Sequence, residues 1–392
     1  MFYYEALVPD EPELRALMAG DAHVELGVEN DWYKVIIQEH QGRLLVRVWG
    51  AVVAIPSELC LERSANGLMW PDITQPMSHD RADALTEIVP VYLDDRFLER
   101  YEQNSLFNTV PVRVHGRWLC SPSYLGQWSF TDCRRVGRNM IVIPMRELYK
   151  PKPDREIVHA HDYVLDSARV AEFDQDKEHI VSKTQRLLDQ LLELGDHLET
   201  LGTAIGEPMP ADKIVGFSKA ELNANGWLNY PTLCHLAQVA PLSMTEQAFL
   251  ARCKNIHELW QCIPNNFLCK LITKAGHTRS IVKELGSLKL LQALLNIVER
   301  LNAHGEMVEV FGSSAIPSGL SSRNTALSAL FVNYDLRITD AHNTGDVLKY
   351  LESLGFDIAA VNEGYGRALD HVFDGVIRAF KDLNVELDKL LT

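Results

Sequence analysis

The feature that most constrains this chain is a change of hydrophobic period close to Asp176. Before it, β-branched and aromatic residues come in short runs with rough alternation: DAHVELGV, WYKVIIQEH, GRLLVRVWGAVVAIP and, later, TVPVRVHGRWLCS and NMIVIP. Alternation places successive side chains on opposite faces of a strand. After Asp176 the apolar residues take up helical spacing. In KEHIVSKTQRLLDQLLELGDHLETLG they are Ile180, Leu187, Leu188, Leu191, Leu192, Leu194 and Leu198. One segment cannot obey both periods, so the two halves must build their cores differently. The expected class is α+β, with a β-rich N-terminal domain over residues 1–172 and an all-α helical-bundle C-terminal domain over 173–392. A length of 392 residues supports about two such cores.

Turn chemistry refines this outline. VIIQEHQGRLLVRVWG reads as a hairpin turning at Gln41-Gly42, and TVPVRVHGRWLCS as a second turning at His115-Gly116. LDDRFLERYEQN reads as a helical interruption. The two prolines of YKPKPDR mark an extended connector over residues 149–155, and the following EIVHAHDYVLDSARVAEFD is compatible with the first domain. The long helix is expected to stop at Gly202 and GEPMPADK. Further helices are expected in SMTEQAFLARCKNIHELWQCI and RSIVKELGSLKLLQALLNIVERLNAHG, the latter with Gly305 as its C-terminal cap. SRNTALSALFVNYDLRITDAHN, TGDVLKYLESLG and EGYGRALDHVFDGVIRAFKDLNVELDKLL complete the set. The glycines of GYGRAL follow no strand, so they read as a loop before the last helix.

Composition narrows the function. The net charge is −15, of which residues 176–392 carry −6 and the remainder −9. Such a chain repels phosphate backbones at large, so any nucleic-acid contact must use a local pocket or pair two chains. No apolar stretch approaches the ~20 residues of a membrane span. The opening MFYYEALVPDEPELRALMAG lacks the basic region of a leader, so a cytoplasmic location is expected. Seven cysteines occur without a CxxC pair and read as free thiols; Cys253, Cys262 and Cys269 with His257 form the one local cluster. GxxxxGK[ST], GxSxG and HExxH are all missing, and no cofactor is expected.

The motif with chemical content is Arg337-Ile-Thr-Asp-Ala-His342, within VNYDLRITDAHNTGD. An Arg followed five positions later by His, on a helix of a helical domain, resembles the R-x4-to-6-H motif of the HEPN superfamily. That resemblance, confined to the C-terminal half, implies a helical bundle that dimerises so that two motifs meet across the interface. It implies metal-independent endoribonuclease activity of the toxin or anti-phage defence type, with RNA as substrate and a homodimer as the working form. Cleaving RNA without a metal needs a group to take the 2′-hydroxyl proton and one to protonate the leaving oxygen. Histidine suits either role. The guanidinium fork stabilises the extra charge of the phosphorane. His342 is thus assigned the acid/base role and Arg337 the charge-stabilising role, with Asn333, Tyr334 and Asp340 as polar helpers.

On an ideal helix, five residues separate two side chains by about 140°. A working pair therefore needs a helix that ends at His342, which Asn343-Thr344-Gly345 allows, or two chains combining their motifs. A second R-x4-H pair, Arg252 and His257, is the weaker alternative. The β-rich half is expected to receive a protein or ligand trigger. Two rival readings stay open. One is a non-catalytic dimerisation or scaffold protein. The other is a metal-dependent hydrolase or nuclease in the N-terminal half, using His159 and His161 on one strand face with Asp154 or Asp166.

Overall fold

The computed structural model describes residues 33–40, 43–50, 64–315, 317–342 and 346–392, with side chains described over 64–315, 319–339 and 346–392. Backbone contacts divide the chain into two units between Glu62 and Arg63. In the first unit, β1 (Tyr33–His40) pairs antiparallel with β2 (Arg43–Gly50), from Tyr33 opposite Gly50 to His40 opposite Arg43. The register leaves two residues for the turn, as the Gln41-Gly42 signal predicts; those two lie outside the described residues.

The second unit starts with short strands. Five form one antiparallel sheet: β3 (Pro90–Asp94), β5 (Val112–Val114), β6 (Arg117–Leu119), β9 (Arg134–Val136) and β10 (Met140–Pro144), in the order β3-β10-β9-β6-β5. A smaller sheet is formed by β4 (Phe107–Asn108), β7 (Ser123–Tyr124) and β8 (Trp128–Ser129). Strand β10, MIVIP, is buried along its whole length between β3 and β9, which explains its unbroken apolar run. His115 and Gly116 join β5 to β6 with φ of 47° and 79°. Two successive positive φ values define the tight hairpin turn that the sequence predicts there.

Helices follow in chain order: α1 (Asp154–Asp162), α2 (Ile180–Ala204), α3 (Ala211–Val215), α4 (Pro231–Leu236), α5 (Glu246–Trp260), α6 (Asn265–Lys274), α7 (Ser287–Ala303), α8 (Ser328–His342), α9 (Val347–Ser353) and α10 (Gly366–Leu391). Shorter helical turns lie between them. Helix α2 packs on α10, α5 on α8, and both α7 and α8 on α10. The architecture is α+β, with antiparallel strands in the N-terminal half and helices in the C-terminal half. Gly305, with φ of 65°, follows α7 and donates to the Asn302 carbonyl, the cap read from sequence.

Three expectations are corrected. EIVHAHD is helix α1, not a strand on which His159 and His161 share a face: Pro153 sets the entry, and Asp154 and Glu156 occupy the first turn where the helix dipole favours acids. Gly202 does not stop α2. The helix runs through it to Ala204, and a Cβ there would lie 2.6 Å from the Glu207 carbonyl and 3.2 Å from the Phe267 ring. The stretch from Arg279 to Ala303 is broken rather than continuous: one turn over Arg279–Val282, then α7 beginning after Gly286.

The strands and helices of residues 64–392 belong to one unit, and a buried polar network crosses residues 172 and 173. Arg135 donates to Asp95 at 2.9 Å and to Glu102 at 3.1 Å, all three being buried. Burial pushes the Asp95 and Glu102 carboxyls up, and Arg135 draws them back. Glu102 also accepts from the Val239 amide at 2.8 Å. Arg138 reaches the Ala240 carbonyl at 2.9 Å and Asp370 of α10 at 2.8 Å. The sheet is thereby pinned to the segment after α4 and to the last helix.

Candidate anion site at the start of helix α7

Helix α8 lies between the core and a cavity. Leu330, Asn333 and Leu336 point into the core, while Phe331, Tyr334, Asp335 and Arg337 border a cavity of about 510 Å³. The cavity is also bordered by His257 and Trp260 of α5, with Gln261, and by the start of α7: Gly286, Ser287, Leu288 and Lys289. The break at Gly286 brings the start of α7 to this cavity. Gly286 is the N-cap of α7 and offers no side chain to the first-turn amides. A 17-residue helix that begins uncapped presents N–H groups and a positive dipole end, a setting that favours anions. Arg337 and Lys289 add two cations, and neither has a hydrogen-bond or ion-pair partner among the described residues.

His257 completes the site electrostatically. Its ring is 3% exposed and lies 4.3 Å from the Trp260 ring and 5.5 Å from that of Tyr334. Burial, with the Arg337 guanidinium beside it, pushes the imidazole down to about 4, while a hydrogen bond with Gln261 acts the other way. The ring is therefore neutral near pH 7. Its Nδ1 is buried with no hydrogen-bond partner among the described residues. Asp335 also borders the cavity, and burial raises its carboxyl. Two cations, a helix N-terminus and a neutral imidazole against one carboxylate make a locally positive recess in an acidic chain.

The residues singled out in the sequence are thus redistributed. Arg337 of the main motif meets His257 of the alternative motif, a pairing that spacing could not reveal. Helix α8 is described as far as His342; the predicted stop at Asn343-Thr344-Gly345 lies outside the described residues, as do the side chains of His342 and Asp340. Tyr334 is partly exposed at the cavity. Asn333 is not at the cavity wall: fully buried, it accepts from Trp260 Nε1 at 3.2 Å and donates to the Cys253 carbonyl at 2.8 Å, tying α8 to α5. Arg252 is wholly engaged, donating to the His235, Leu236 and Val239 carbonyls at 2.7, 2.8 and 2.8 Å, and so closes the end of α4. Lys289 and the uncapped start of α7 were missed; the available signal was glycine immediately before SLKLLQ in a helical run.

The histidine pair of the N-terminal half comes apart. On helix α1 a separation of two residues puts His159 and His161 about 200° apart. Each is committed to a carbonyl, His159 to Phe97 at 3.1 Å and His161 to Met69 at 2.8 Å. Asp154 bonds His79 at 2.9 Å and the Ala65 amide at 2.8 Å, and Asp166 caps the turn over Ser167–Glu172. The cysteine cluster likewise disperses: the Cys262 thiol donates to the Glu258 carbonyl and that of Cys269 to Val282. Among the described residues no group of three His, Cys, Asp or Glu side chains is placed to hold a metal ion. No helix among them is long and apolar enough to cross a membrane.

Comparison with known proteins finds no family model, no curated protein and no solved structure that matches this chain.

Proposed function

We propose that this chain is a metal-independent endoribonuclease effector whose phosphodiester site is the cavity beside Arg337. The observation that carries the reading is the half-buried Arg337 guanidinium, without a hydrogen-bond or ion-pair partner among the described residues, bordering the same recess as the amide terminus of α7. Phosphoryl oxygens are the anions best matched by a guanidinium fork together with backbone N–H groups. In the reaction the RNA 2′-oxygen attacks the adjacent phosphorus, its proton passing to a base. The 5′-oxygen of the next nucleotide leaves with a proton from an acid, and a 2′,3′-cyclic phosphate remains. Arg337 stabilises the charge of the phosphorane, and His342, on the same helix, is the proposed acid/base. The helical half would act as a HEPN-like bundle in a homodimer that brings two motifs together, and the strand-rich half would receive the trigger.

A non-catalytic module is the second reading. It is favoured by the engagement of Asn333 and Arg252 in packing, and by an imidazole in the recess too weakly basic to take a proton at neutral pH. Incubating labelled total RNA and tRNA in EDTA with the parent chain and with Arg337→Ala and His342→Ala separates the two. Cleavage by the parent that falls by about 100-fold or more in each variant is the expected result, the scale of losing a transition-state donor. Cleavage that persists in both variants would rule out this site.

A further inference from the structure

The outer hairpin of the larger sheet joins its neighbour over a short span. Strand β5 is the sheet edge and its three residues are exposed, while β6 pairs with β9 at Leu119 and Arg134. Val112, Arg113 and Trp118 of this hairpin border a groove of about 770 Å³ together with Leu188 and Leu192 of α2 and Trp227. The Trp227 ring lies 5.1 Å from that of Trp118. Two thiols stand where the hairpin is attached. The antiparallel register that pairs Leu119 with Arg134 sets Cys120 opposite Cys133, and the Cys120 amide donates to the Cys133 carbonyl at 2.8 Å. Residues opposite one another in such a pair share a face, with Cα atoms about 4.5–5.5 Å apart, inside the roughly 4.4–6.8 Å that a disulfide spans. Arg135 Nε donates to Cys120 Sγ at 3.2 Å. Both thiols are buried, at 2% and 0% exposure. Burial pushes both up, Cys120 adding to the rise at Cys133, while Arg135 acts the other way on each. With the hairpin seated the pair is therefore protonated and inert, and it becomes reactive when the sheet edge opens.

We propose that Cys120 and Cys133 are a reversible redox pair whose disulfide locks the β5–β6 hairpin onto the sheet and fixes that side of the groove. The oxidant is a low-molecular-weight disulfide. When the hairpin lifts, one protein thiolate attacks a sulfur of the oxidant, whose S–S bond breaks and releases one small thiol. The second protein thiolate then attacks the mixed disulfide, the Cys120–Cys133 bond forms and the second small thiol leaves. The two protein thiols are oxidised, the oxidant is reduced, and the two protons end on the departing thiols.

Treating the folded full chain with glutathione disulfide tests this. The expected product has lost two hydrogens by intact mass, and peptide mapping links Cys120 to Cys133. Amide hydrogen exchange across residues 112–119 is expected to slow about tenfold or more in the bridged form, and dithiothreitol should restore the original rate. Cys133→Ser should lose the bridge and the slowing together. Cys262→Ser, which removes an exposed thiol, should keep both. The parent chain in its two redox states is its own folding control, so the result does not depend on either variant. A bridge between other cysteines, glutathione adducts alone, or a Cys120–Cys133 bridge that forms only in urea would overturn the proposal. Exchange that stays unchanged in the bridged form would overturn it too. RNA cleavage does not enter this readout, so the redox pair and the ribonuclease reading stand or fall separately.

Discussion

Asn333 and Arg337 stand one helical turn apart on α8 yet differ in their surroundings. Asn333 is fully buried and satisfies the Trp260 indole N–H and the Cys253 carbonyl. Removing it strands both groups in the core, so Asn333→Ala should cost about 2–4 kcal/mol in urea unfolding. Arg337 has no such partner among the described residues, and Arg337→Ala should stay within about 0.5 kcal/mol of the parent. Similar losses in both variants would mean that Arg337 is structural. At this scale the sequence was half legible. Residue type and helix singled out Arg337, but which face of α8 is buried depends on the Leu330 and Leu336 neighbours. Only the packed structure shows Asn333 turned inward and His257 brought across from another helix.

Elements were legible where local chemistry decides them. His115-Gly116 marks its hairpin because glycine accepts a positive φ without strain and histidine tolerates one. EIVHAHD misled because its apolar and polar residues alternate, while the buried set Ile157, Val158 and Ala160 follows helical order. The glycines before α10 have a reason that no local rule contains. At Gly366 a Cβ would stand 2.5 Å from Leu242 Cα and 2.6 Å from the Pro241 carbonyl. The Gly366 amide donates to Leu242 at 3.1 Å and that of Tyr365 to Met244 at 2.9 Å. The start of the last helix is thus laid directly on the segment leading into α5. Gly366→Ala must push these backbones apart and should lower stability by about 2 kcal/mol or more, read as a fall in Tm. An unchanged Tm would show that the segments are not in close register.

At the scale of the molecule, the change of period near Asp176 is real, yet strands and helices beyond residue 63 share one unit. The reason lies in charged side chains that no sequence motif marks. Asp95, Glu102, Arg135 and Arg138 are buried where the sheet meets the helices. Removing one member of such a network leaves uncompensated buried charge, so Arg135→Ala should cost about 3–5 kcal/mol. The sheet and the helices should also unfold together, giving coincident transitions by tryptophan fluorescence and far-UV circular dichroism. Separate transitions would show that the network does not couple them.

The glycine that opens α7 has one more consequence. Serine or aspartate at an N-cap ordinarily adds about 1 kcal/mol to a helix by accepting from its first amides. Such a side chain at position 286 would occupy the donors that face Arg337. A substitution that made this helix more stable would therefore set the protein's own oxygen against those amides, and its weak beginning is what leaves them open.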